Sequence, residues 1–196
     1  MSSKILGCDP GGGFFGWALV EVTPTTERLL KMGVIQTEKS AAKRHILAAD
    51  DELRRAHEIA ALLRPLMEEA DVLCCESLSC PRMAGNELKM DSLWGLIAAM
   101  AQEFSLPVAW VSPWQIKQKL GGRTNASKDA VRDALLDRYA TTQVGWLRRR
   151  GYRGPSLTSL LARLPQGQHE HAWDALAAAV GCLEADVIPG LPRWPT

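Results

Sequence analysis

Lys4-Ile5-Leu6-Gly7-Cys8-Asp9-Pro10-Gly11-Gly12-Gly13-Phe14-Phe15-Gly16-Trp17-Ala18 is the stretch on which the fold turns. A short apolar run ends in a carboxylate, Asp9, and a glycine-rich turn leads back into a second apolar run. The pattern predicts a β-hairpin with an acid at its mouth, where backbone free of side chains admits a bulky ligand. Two further acids repeat the logic. Val72-Leu73-Cys74-Cys75-Glu76 is another apolar strand ending in a carboxylate. His171-Ala172-Trp173-Asp174-Ala175-Leu176 opens an apolar helix with two possible metal ligands at i and i+3. An acid on each of two strands and a ligand pair on a helix make a site for divalent cations and phosphate chemistry.

Outward from the hairpin, residues 4–9, about 15–22 and about 30–37 read as a three-stranded antiparallel meander. Gly11 to Gly13 and Thr23 to Thr26 supply its turns. Ile46, Leu47, Leu53, His57, Ala60, Leu63 and Met67 fall near helical spacing and predict a long helix over 42–69. A fourth strand at about 71–76 leads into a polar loop over about 77–89 and a helix over about 90–104. A fifth strand, Pro107 to Val111, is followed by Ser112 and Pro113, an N-cap and first-turn pair. Asn125 or Ser127 caps the next helix, which reaches about Tyr139. The last helix spans about 170–185, with His169 in the loop before it. Three antiparallel strands, then alternating helix and strand, imply an α/β fold: a mixed five-stranded sheet with helices on both faces.

At 196 residues the chain suits one domain, 1–188, with a Pro-rich tail at 189–196. No apolar run reaches the length of a membrane span and no signal-peptide pattern opens the chain, so the expected location is cytoplasmic. The five cysteines show no Cys-x-x-Cys spacing, and Cys8, Cys74 and Cys182 read as reduced core residues. The net charge of +1 conceals an asymmetry. Between Trp114 and Gln166 there are eleven basic residues and three acids. Such a region predicts a defined polyanion-binding face. Its densest part, about 141–167, holds Arg148, Arg149, Arg150 and Arg153 beside Trp146 and contains no acid. Trp94 and Trp110 read as core, and Trp146 as the better base-stacking candidate.

Taken in order, these motifs resemble the RuvC group of Holliday-junction resolvases in the RNase H-like nuclease superfamily. The resemblance runs from Ile5-Leu6-Gly7-Cys8-Asp9-Pro10-Gly11 through Glu76, then Ser112-Pro113-Trp114-Gln115-Ile116-Lys117-Gln118 and Gly121 to Lys128. It closes with Asp174-Ala175-Leu176-Ala177. It implies an RNase H-like sheet and a homodimeric endonuclease that nicks branched DNA, with two Mg²⁺ or Mn²⁺ ions per site. Asp9 would bridge both ions, Glu76 would bind one, and Asp174 the other. His171 stands where many members carry a second Asp. It could ligate Mn²⁺, orient the water or move a proton, and Glu170 could take its place as ligand. Lys117 and Lys128 match positions used against DNA phosphates. The 77–89 loop, with Arg82 and Lys89, lies where the family inserts side chains into the junction, often an aromatic that this chain lacks. Met90, Leu93, Trp94, Ile97 and Met100 form an apolar stripe that could serve the two-fold or the core. The basic insertion at 141–167 departs from the family. Other readings stay open: an inactive junction-binding scaffold, an RNase H-like phosphotransferase, or an RNA-processing nuclease.

Overall fold

The computed structural model describes residues 2–40, 47–77, 84–139 and 156–188, with backbone alone for 84–91. Its strands are β1 (Ser3–Asp9), β2 (Phe14–Val22), β3 (Glu27–Gln36), β4 (Val72–Glu76) and β5 (Val108–Val111). They form one sheet in the order β3-β2-β1-β4-β5. β1 pairs antiparallel with β2 and parallel with β4, and β4 pairs parallel with β5. The helices are α1 (Ala48–Glu69), α2 (Ala84–Glu103), α3 (Pro113–Gly121), α4 (Lys128–Tyr139), α5 (Leu157–Leu161) and α6 (His169–Glu184). A 3-10 turn at Gln166–Gln168 leads into α6. This is the mixed five-stranded, RNase H-like sheet with helices on both faces.

Alternation along the strands builds two cores. Leu6, Cys8, Leu73 and Cys75 pack beneath α1 and α2 with Ile59, Leu63 and Ile97. Ile5, Val72, Cys74 and Val111 face the other way, against α6 and α3. Because the period is two, Gly7 and Asp9 share the face of Ile5, and Glu76 shares that of Cys74. Both acids are therefore aimed at the α6 side.

The helix α6 lies unusually close to the sheet, and two glycines explain it. A Cβ on Gly7 would stand 2.2 Å from the Ala175 carbonyl oxygen, and one on Gly16 would stand 2.0 Å from that of His171. On the helix side, Ala172, Ala175, Ala178 and Ala179 are buried and small. Small residues on both surfaces bring the backbones together and seat the start of α6 over the hairpin.

Some elements differ from the expectation. The helix α2 begins at Ala84, so Asn86 and Lys89 sit in a helix and not in the loop before it. Of the stripe left open between the two-fold and the core, Leu93, Ile97 and Met100 are buried in the α1-side core, as the core reading had it. Packing against the sheet and α1 claims it. His169 starts α6, with Nε2 3.0 Å from the Leu164 carbonyl oxygen, and is no loop residue. Leu157, Leu160 and Leu161 of α5 are buried in the α6-side core, so the end of the basic insertion builds interior. Trp94 is half-buried and stacks on Trp110 at 4.2 Å, but Trp110 is 37% exposed at the sheet edge. An edge strand has no neighbour to cover it. Cys8, Cys74, Cys75 and Cys182 are free and buried.

Candidate active site

Asp9 closes β1, Glu76 closes β4, and their preceding residues Cys8 and Cys75 are register partners. Two carboxylates thus leave adjacent parallel strands at the same end. The first turns of α6 bring His171 and Asp174 over them. His171 Nδ1 lies 2.8 Å from Asp9 Oδ2, and the Phe14 ring stacks on the imidazole at 5.3 Å between centroids. A carboxylate on one edge and an aromatic on one face fix the orientation of the ring.

The electrostatics record the crowding. Burial pushes the Glu76 pKa up to about 7, and the nearby charges of Asp174 and Asp9 push the same way, while Lys128 and Lys117 oppose it. Burial likewise holds Asp9 above the usual carboxylate range, with Asp174 adding to the rise and the His171 hydrogen bond opposing it. Lys128, at the start of α4, donates from Nζ to Asp174 Oδ2 at 3.0 Å and to Glu170. Burial disfavours its charge, but these hydrogen bonds prevail and hold its pKa above the usual lysine value. A cation at a helix start is otherwise opposed by the helix dipole. Two acids on α6 overcome that.

Glu170 is engaged by Lys128, its pKa lowered by that hydrogen bond, whereas His171 is the residue placed against Asp9. Lys117 is close enough for its charge to act on Glu76. Among the described residues, no three His, Cys, Asp or Glu side chains close into a ready donor cage. Lys128 takes up the Asp174 oxygen, and His171 that of Asp9. Lys89 is described in backbone only, while Arg82, Arg148, Arg149, Arg150, Arg153 and Trp146 lie outside the described residues.

Sequence reading alone missed three side chains here. Phe14 follows from alternation, since Phe15 is core and its neighbour must face the other way. Arg55 of α1 donates from Nε to Thr37 Oγ1 at 2.8 Å and from Nη2 to the Gly12 carbonyl oxygen. The Thr37 hydroxyl also donates to that carbonyl, at 2.6 Å. Together they latch the glycine turn to α1, and no local pattern announces it.

The raised Glu76 pKa has a measurable consequence. The folded protein keeps this proton to higher pH than the unfolded chain, so it binds more protons between about pH 4.5 and 7. Stability should fall as pH rises through that window, by roughly 2 kcal/mol. Thermal melts in chelator from pH 5 to 8 should show the decline, and Glu76→Gln should flatten it. Equal slopes for both proteins would contradict the assignment.

Comparison with known proteins adds a family to this geometry. Residues 5–140 match the family model described as crossover junction endodeoxyribonuclease RuvC. A relative of that name from Porphyromonas gingivalis is 31% identical over 69% of this chain and 67% of its own length. Another from Moorella thermoacetica is 31% identical over 65% of this chain and 72% of its own. The T. thermophilus RuvC solved with a Holliday junction substrate superposes with a TM-score of 0.69, at 22% identity and 94% coverage of both chains. The Fowlpox virus resolvase, solved with Holliday junction DNA, gives 0.56 at 12% identity, covering 94% of this chain and 99% of its own. At those identities the two structures share the fold alone. Among the described residues no helix is long and apolar enough to cross a membrane.

Proposed function

This chain belongs to the RuvC family of crossover junction endodeoxyribonucleases, and we propose that it hydrolyses phosphodiesters in four-way DNA junctions, as a metal-dependent homodimer in recombination and repair. The observation that carries this reading is the convergence of Asp9, Glu76 and Asp174 from β1, β4 and α6, with the charge of Asp174 raising the proton affinity of Asp9 and both charges raising that of Glu76. Half-buried carboxylates that repel one another fit a hard divalent cation such as Mg²⁺ or Mn²⁺. Asp9 would be shared between two ions, with Glu76 holding one and Asp174 the other. When bound, such ions supply a nucleophilic water and neutralise charge on the phosphoryl and leaving oxygens.

The chain's own side chains do the remainder. His171, oriented by Asp9 and Phe14, would accept or give a proton at its ring nitrogen. Replacing it by alanine should slow cleavage by about a hundredfold. A rate unchanged across pH would mark His171 as a bystander. Lys128 and Lys117 face the same centre and would meet DNA phosphates beside it. Arg82, Lys89, Arg148, Arg149, Arg150 and Arg153 would extend that contact along the arms, within a single nuclease domain over 1–188 and its basic insertion.

For the insertion, changing Arg148, Arg149, Arg150 and Arg153 to Gln should weaken junction binding. The slope of log affinity against log salt should also flatten, by roughly 0.9 for each phosphate no longer neutralised. An unchanged slope would move these arginines off the DNA. A four-way junction offers two symmetric strands, which a two-fold dimer would engage with two sites. Since Leu93, Ile97 and Met100 serve the core, the two-fold interface must use other residues.

The test is cleavage of labelled four-way, three-way, flap and linear DNA with Mg²⁺ or Mn²⁺. Paired nicks in the four-way junction, with linear DNA spared, are expected. Binding without cleavage under any metal would return the protein to a junction-binding scaffold. Preference for RNA would make it a processing nuclease.

A further inference from the structure

The described residues include five large hydrophobics that stand exposed: Leu47, Leu53, Leu62, Trp110 and Trp114. The leucines belong to α1 and the residue before it. Trp110 is braced by Trp94. Trp114 remains, 53% exposed, and its mounting is what sets it apart.

The mount is rigid. Trp114 is the second residue of α3, behind Pro113 at its start. Ser112 and Gln115 close a capping box around it: the Ser112 backbone N–H donates to Gln115 Oε1 at 2.9 Å, and the Gln115 N–H returns to Ser112 Oγ at 3.4 Å. Two reciprocal bonds hold the first turn.

The mount also sits beside the acids. Val111, three residues earlier, is the register partner of Glu76, and its carbonyl oxygen accepts the Ser77 N–H at 2.8 Å. Lys117, three residues later and on the same side of the helix as Trp114, is near enough for its charge to act on Glu76. Ile116 is the buried residue of α3, lying against Gly181 in the core that also holds Val111, while Trp114 stands exposed. A large exposed aromatic on a capped first turn, one turn before a lysine whose charge reaches Glu76, suits a ligand that is both anionic and flat.

We propose that Trp114 is a nucleobase-stacking residue, packing against an unpaired base next to the phosphodiester served by Glu76. This rests on the nuclease reading above. Stacking on an aromatic is insensitive to base identity and adds binding that salt does not screen, whereas lysine contacts weaken steeply with salt. Trp114 would thus anchor an opened strand at the site by a means that Lys117 cannot provide.

The test compares wild type, Trp114→Ala and Trp114→Phe, binding a four-way junction that carries 2-aminopurine near its centre, in Ca²⁺. Trp114→Ala should weaken binding roughly 5- to 100-fold with an unchanged salt slope, and Trp114→Phe should restore most of it. The 2-aminopurine emission change seen with wild type should be lost in the alanine variant and kept in the phenylalanine one. Wild-type affinity and emission in Trp114→Ala would overturn the proposal while leaving the nuclease reading intact. So would a shifted oligomeric state at unchanged junction affinity, which would give this surface to a second copy of the chain. A wild-type protein that binds no junction would overturn both.

Discussion

Replacing Asp9 by asparagine should lower junction cleavage by on the order of 10³-fold while leaving junction binding within a few-fold of wild type. The substitution is nearly isosteric, so the turn and the sheet should keep their shape. What changes is charge. Burial and Asp174 raise the Asp9 pKa, so a nearby cation would favour its ionised form. Asparagine offers one neutral oxygen in its place and would not balance the charge of the proposed ions. It also weakens the hold on His171, which would lose a charged partner. Binding should persist because the proposed phosphate contacts are made by lysines and arginines, not by Asp9. Cleavage measured in Mg²⁺ and binding in Ca²⁺ separate the two effects. Near-normal cleavage by this variant would remove Asp9 from the chemistry.

The second large effect is expected at a residue with no functional group. Gly16→Ala places a methyl 2.0 Å from the His171 carbonyl oxygen and 2.5 Å from its carbon, both backbone atoms that cannot rotate aside. Either α6 lifts or β2 bends. Overpacking of this kind costs about 1–3 kcal/mol. The larger loss should be catalytic, because a 1 Å misplacement of reacting groups costs on the order of 10²-fold. The clash falls directly on His171, so activity should drop well beyond what the lowered melting temperature explains. Measuring the cleavage rate well below the melting point tests this. A stable variant of full activity would show that α6 can shift without consequence.

The sheet was legible because its signals are local. Alternation, the glycine turn and strand-ending carboxylates are all readable within a dozen residues, as they are at Asp9 and Glu76. The start of α2 was not. Ala84-Gly85-Asn86 reads as loop by propensity, and packing of the rest of the helix carries it through. Long-range partners were the hardest. Asp9 and His171 are 162 positions apart, and nothing in either neighbourhood specifies their hydrogen bond. Gly16 gives no local sign of its partner, a helix backbone far along the chain. Nor does anything around Arg55 point to the Gly12 carbonyl that it engages, 43 residues earlier.

The register of Cys8 with Cys75 makes the gap between the two strand-borne acids a property of backbone hydrogen bonding. Neighbouring strands lie about 4.8 Å apart whatever their side chains. The ruler for the chemistry is thus built from atoms that mutation cannot exchange. Drift in the cores above and below can alter stability without altering that spacing, and an insertion after α4 lengthens neither strand. Relatives that keep fewer than a third of these residues over the matched span can in this way inherit one calibrated distance.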